Sequence, residues 1–108
     1  MSGLFELRYY TTRPGKREEF ADLMDRVIIP FNTARGVQVI GSFVDAENED
    51  TYIWVRRFED EDHRVRAYED IYQDPEWTAE IGPAVGELMI RERAVITRAL
   101  PTAGSPLQ

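Results

Sequence analysis

The sequence predicts an α+β domain of the ferredoxin-like kind, βαββαβ, with a four-stranded antiparallel sheet carrying both helices on one face. Periodicity is the main reason: the apolar repeat switches between two and about 3.6 residues in the order strand, helix, strand, strand, helix, strand. Length is the second. The chain has 108 residues, one domain's worth, and is read as a domain over 1–100 with a flexible or swapped tail at 101–108. That size disfavours a TIM barrel or a two-domain dehydrogenase. The third is the absence of cysteine, which leaves no disulfide framework or zinc–thiolate site to substitute for a packed core.

Each element has a local signature. In the first strand Phe5, Leu7 and Tyr9 alternate with Glu6, Arg8 and Tyr10, and Arg13-Pro14-Gly15-Lys16 breaks the run. Phe20, Leu23, Met24, Val27, Ile28 and Phe31 then form one helical stripe, which Pro30 is expected to end or kink near Ile29. Val37–Val44 and Thr51–Phe58 read as a hairpin around an acidic connector, Asp45–Asp50. Glu59-Asp60-Glu61-Asp62 suits the positive end of a second helix, whose apolar face holds Val65, Tyr68 and Tyr72. Asp74-Pro75 restarts a helix through Trp77 and Ile81 that Gly82-Pro83 is expected to end. Leu88–Leu100 reads as one long last strand, with Met89, Arg91, Arg93 and Val95 on one face.

Both faces of such a sheet are apolar, so one would stay bare in a monomer. A bare apolar face implies a partner, and the expected partner is a second copy, with a higher oligomer open through the tail. The more apolar face of the first strand is expected to meet the helices. That would leave Glu6, Arg8 and Tyr10 facing the partner, with Tyr52, Trp54 and Arg56 of the third strand beside them.

The stretch Phe5-Glu6-Leu7-Arg8-Tyr9-Tyr10-Thr11-Thr12-Arg13-Pro14-Gly15-Lys16, then Phe20, resembles the opening of the NIPSNAP family. Tyr52-Ile53-Trp54-Val55 resembles its third strand. Arg64, Tyr68 and Tyr72 followed by Asp74-Pro75-Glu76-Trp77 resemble its second helix and the next turn. The likeness spans about residues 4–100. It implies a dimeric α/β barrel, two ferredoxin-like protomers with helices outside. Related barrels include cofactor-free monooxygenases, isomerases, cyclases and haem-degrading enzymes, so fold alone does not choose an activity.

Candidate residues follow from chemistry. Glu6, Arg8 and Tyr10 are the candidate catalytic set: a carboxylate base if burial raises its pKa, an anion-stabilising cation and a hydrogen-bond donor. Tyr52, Trp54, Arg56 and Arg91 are the candidate substrate-binding set, an aromatic wall with arginine forks for a carboxylate. For Glu6 and Arg8 a structural ion-pair and hydrogen-bond network is the favoured alternative, and for Tyr52, Trp54 and Arg56 ordinary dimer packing is an equal one. Two function classes therefore stand: a binder or transformer of an apolar or aromatic small molecule, and a non-catalytic structural or interaction module.

Other chemistries are disfavoured. The single histidine, His63, lies nine positions after Trp54, as an axial haem ligand would in haem-degrading relatives. It sits among Glu61, Asp62 and Arg64, however, at a solvated helix start, and no cofactor or metal is expected. Three serines and one histidine make a hydrolase triad poor. The acidic loop lacks the glycine and glutamate of an EF-hand, and Arg13-Pro14-Gly15-Lys16 lacks a P-loop's pattern. A formal charge of −7 disfavours nucleic acid. No stretch approaches the roughly 20 apolar residues of a membrane span or the pattern of a signal peptide. A cytoplasmic location is expected.

Overall fold

A computed structural model describes residues 2–108. Four antiparallel strands, β1 (Leu4–Thr11), β2 (Gln38–Val44), β3 (Thr51–Phe58) and β4 (Val95–Ala99), lie in the order β2-β3-β1-β4. The central strands are paired over their full lengths, from Leu4 opposite Phe58 to Thr11 opposite Thr51. A register shift between Val39 and Gly41 bends β2 against β3. Helices cover one face only, and no described helix is long and apolar enough to cross a membrane.

The first helical rod runs unbroken over residues 17–34 as α1 (Arg17–Leu23), a π-helical turn (Met24–Ile28) and α2 (Ile29–Ala34). Pro30 does not end it. The Ile29 N–H reaches back five residues to the Met24 carbonyl, and the widened turn takes up the proline, which lacks an N–H to continue the ladder. Gly36, at φ 82°, turns the chain into β2. α3 (Glu61–Tyr72) starts at Asp60, whose side chain accepts the His63 N–H at 2.7 Å. A second π turn (Trp77–Ile81) leads into α4 (Gly82–Leu88).

This last helix corrects two expectations. Gly82-Pro83 continues the helix to Leu88 because the Gly82 N–H bonds to the Trp77 carbonyl, again five residues back, just before the proline. The long strand from Leu88 is therefore shorter. Met89 makes a single bridge to Thr12, a 3-10 turn covers Arg91–Arg93, and only Val95–Ala99 pairs with β1. The apolar and charged alternation over 88–100 suits a strand, but Arg91 donates to the Gly82 carbonyl and holds the segment back against α4.

The sheet's orientation is the reverse of that expected. The even positions of β1 and β3 lie under the helices: Glu6, Arg8, Tyr10, Tyr52, Trp54 and Arg56 are all buried within one chain. The odd positions form the open face, where Tyr9 is 41% and Phe43 56% exposed. Apolarity misleads here because the charged and phenolic groups satisfy one another, so they can be buried together. Phe20, Met24, Ile28, Phe31, Ile71 and Leu88 complete the core above them. The tail returns to the start of β1, where the Gly3 N–H and the Arg57 guanidinium both donate to the Gln108 main-chain oxygen.

Candidate functional site

Strand register assembles the site. Glu6 stands opposite Arg56, Arg8 opposite Trp54 and Tyr10 opposite Tyr52, so adjacent strands place six candidate side chains on one patch. The Glu6 Oε1 accepts from Arg8 Nε at 2.6 Å and from Arg56 Nη2 at 2.6 Å. Its Oε2 accepts the Tyr68 hydroxyl. Arg8 also donates to the Tyr10 hydroxyl at 2.5 Å and to the Tyr68 hydroxyl at 2.9 Å. Arg56 Nη1 donates to Asn32 Oδ1 at 2.8 Å. The Arg56 guanidinium carbon lies 4.9 Å from the Trp54 ring centre and 5.3 Å from that of Tyr68, so π faces also support its charge.

These contacts settle the ionisation of Glu6. Burial alone would raise its carboxyl, but Arg56, Arg8 and the Tyr68 hydrogen bond together outweigh burial and hold it at about 2. Burial alone therefore does not make Glu6 a base here; a carboxylate held so low is a weak proton acceptor at neutral pH. Burial disfavours the Arg8 cation, yet Tyr10, Tyr72 and Glu6 more than offset this and keep it charged.

Beside the network is a cavity of about 170 Å³. Arg8, Tyr10 and Trp54 form its sheet wall, Met24, Ile28 and Trp77 its helical wall, and Arg91 and Ala94 lie where the chain enters β4. The π turns help to shape it, since Met24, Ile28 and Trp77 all belong to them. The Trp54 indole N–H is buried without a hydrogen-bond partner, as is the Tyr52 hydroxyl.

Of the sequence candidates, Glu6, Arg8, Tyr10, Trp54 and Arg56 form one connected cluster, and Arg91 joins them through the cavity. Tyr52 stands apart from the cavity wall, edge-on to Phe20 at 5.2 Å; burial pushes its hydroxyl up to about 12. Sequence reasoning missed Tyr68 and Asn32 as members. Tyr68 was legible as an apolar-face residue of its helix and within the family resemblance, but not as a partner of Glu6. Asn32 had a signal: it falls four residues after Ile28, on the apolar stripe, where a polar side chain needs a buried partner. His63 is part of the helix start, its Nδ1 accepting the Glu59 N–H at 2.9 Å and its ring edge-on to Phe58 at 5.7 Å.

Comparison with known proteins agrees with this geometry. A NIPSNAP family protein from Agrobacterium tumefaciens is 28% identical, with a TM-score of 0.85 over 98% of this chain and 91% of that one. An uncharacterized NIPSNAP-like domain protein from Burkholderia xenovorans is 25% identical, with a TM-score of 0.85 over 96% of this chain and 89% of that one. A second Agrobacterium tumefaciens NIPSNAP family protein, of unknown function, shares the fold at 19% identity, with a TM-score of 0.87 over 98% and 94% of the two chains. No curated protein matches this chain. The NIPSNAP family model matches residues 5–106, nearly all of the domain, and the chain belongs to the NIPSNAP family.

Proposed function

We propose that this protein is a homodimeric small-molecule-binding protein, each protomer taking an apolar or aromatic molecule of about one ring between its sheet and its helices. The cavity beside Arg8, with Tyr10, Trp54 and Trp77 in its wall, carries this reading. Its volume is adequate, since an apolar cavity of roughly 150 Å³ admits benzene. The polar groups at one end would orient the guest and the aliphatic and aromatic wall would desolvate it. Arg8 and Tyr10 suit stabilisation of a developing oxyanion. That fits cofactor-free oxygenation, isomerisation or cyclisation only if the proton acceptor comes from elsewhere than Glu6.

The dimer reading rests on the open face. Leu7, Tyr9, Phe43, Ile53, Val55 and Val95 share it by register, with no helix above them. A contiguous apolar patch of this kind is characteristic of an interface.

The alternative, a non-catalytic structural or interaction module, is favoured by one observation: the Glu6–Arg8–Arg56 network is already satisfied within the chain. Intrinsic fluorescence separates the two, because both tryptophans line the cavity. Titration with benzyl alcohol should give a saturable change that Ala94→Leu, which fills the cavity, abolishes. A flat titration of the folded native protein would reject the ligand-binding reading.

A further inference from the structure

The cavity wall is unbalanced in charge and in hydrogen bonding. Two arginines, Arg8 and Arg91, line it, and no acidic side chain does. Behind the wall, Arg8 and Arg56 share the single carboxylate of Glu6, so the buried cluster carries one more positive charge than negative. Arg98 approaches Glu6 at 3.7 Å from the half-exposed rim and adds to the surplus. Arg56 is well provided for: both its Nε and Nη2 reach Glu6, its Nη1 reaches Asn32, and aromatic rings flank it. The cation that faces the cavity is Arg8.

The hydrogen-bond inventory points the same way. Arg8 uses three of its N–H groups on Glu6, Tyr10 and Tyr68, and a guanidinium has about five. The Tyr10 hydroxyl accepts from Arg8, and its own proton meets no acceptor among the described residues. The sheet wall of the cavity thus offers N–H and O–H donors of Arg8 and Tyr10 with no acidic side chain facing them. A guest that supplies negative oxygen would meet both the surplus charge and these donors.

We infer that the natural ligand of this cavity is a ring-sized organic carboxylate, its carboxylate held at Arg8 and Tyr10 and its ring against Met24, Ile28 and Trp77. This rests on the cavity being a ligand site, as proposed above, and adds the class of ligand. A neutral guest of the same shape would bury its ring equally well but bring no anion to Arg8. Arg91, at the exposed part of the lining, would draw the anion towards the cavity of a protein whose formal charge is −7.

The test compares benzoate with benzamide, which has nearly the same shape and no charge, by tryptophan fluorescence and calorimetry on the full chain. Benzoate should bind at least about tenfold more tightly, since each charge-assisted bond is roughly twice as strong as a neutral one. Arg91→Gln, which leaves the buried network intact, should weaken benzoate several-fold more than it weakens benzamide. Arg8→Gln, if folded by circular dichroism, should erase the preference. Saturable benzamide binding equal to or tighter than benzoate would overturn the carboxylate assignment and leave the cavity as a ligand site. The same holds for a preference that survives in folded Arg8→Gln. No binding of either probe would overturn both.

Discussion

The two faces of the sheet invert the usual partition. The helix-covered face holds a carboxylate, two arginines and a row of aromatic rings, while the open face holds Leu7, Tyr9, Phe43, Ile53, Val55 and Val95. On the covered face the polar groups are mutually satisfied, so burial is tolerable and geometry is fixed. On the open face apolar side chains remain half in water. Which side of a strand is buried therefore depends on whether its polar groups can find one another, beyond how greasy each side is.

The sharpest way to break this contrast is Glu6→Gln. It keeps the shape but leaves Arg8 and Arg56 without their shared anion, and breaking a buried pair in this way costs about 3–5 kcal/mol. Urea unfolding should show the loss, and an unchanged midpoint would mean that the network does not stabilise the covered face. Acid probes the same group. The Glu6 carboxyl is held at about 2 against an ordinary 4.5, so its contribution is fully present above pH 4.5 and is lost as pH falls from there towards 2. The depression corresponds to about 3 kcal/mol. A stability–pH profile of Glu6→Gln should be flatter over that window than that of the native chain.

The open face responds differently. Val95→Asp, at a side chain 57% exposed in the single chain, should leave the far-ultraviolet spectrum intact and weaken self-association by at least about tenfold. Sedimentation velocity checks this, and a native chain that stays monomeric at high concentration would remove the homodimer proposal. The smallest effect is expected at Asp22, whose carboxylate meets Arg26 at 2.8 Å on the solvent side of the first helical rod. Asp22→Ala should change stability by no more than about 0.5 kcal/mol. Its distance nearly matches that of the Glu6 pairs, so the contrast isolates environment from geometry.

The order of elements was legible because strand and helix periods differ and because Pro14-Gly15, Asp60 and Asp74-Pro75 punctuate them. The cluster was legible as a list, since alternation on β1 and β3 groups Glu6, Arg8 and Tyr10 with Tyr52, Trp54 and Arg56 whichever way the sheet faces. Its location was not. Nothing in β1 alone reveals that Tyr68 and Asn32 arrive from two helices to complete the hydrogen bonds that make burial possible. The end of the last helix was illegible for a related reason: a proline reads as a stop unless the preceding turn is known to be wide.

Those two wide turns have a consequence for what lengths of chain this protein tolerates. A π turn is an α-helix with one residue to spare. Removing a single residue from Met24–Ile28 would restore an ordinary helix and leave everything after it facing nearly as before, because the wide turn already absorbs the extra residue's rotation of about 100°. Phe31 would keep its place in the core and Asn32 its direction towards Arg56. The same deletion in Trp77–Ile81 would keep Val85 and Leu88 over the sheet. The cost would fall instead on Pro30 and Pro83, which the wide turns accommodate and an ordinary helix interior would not.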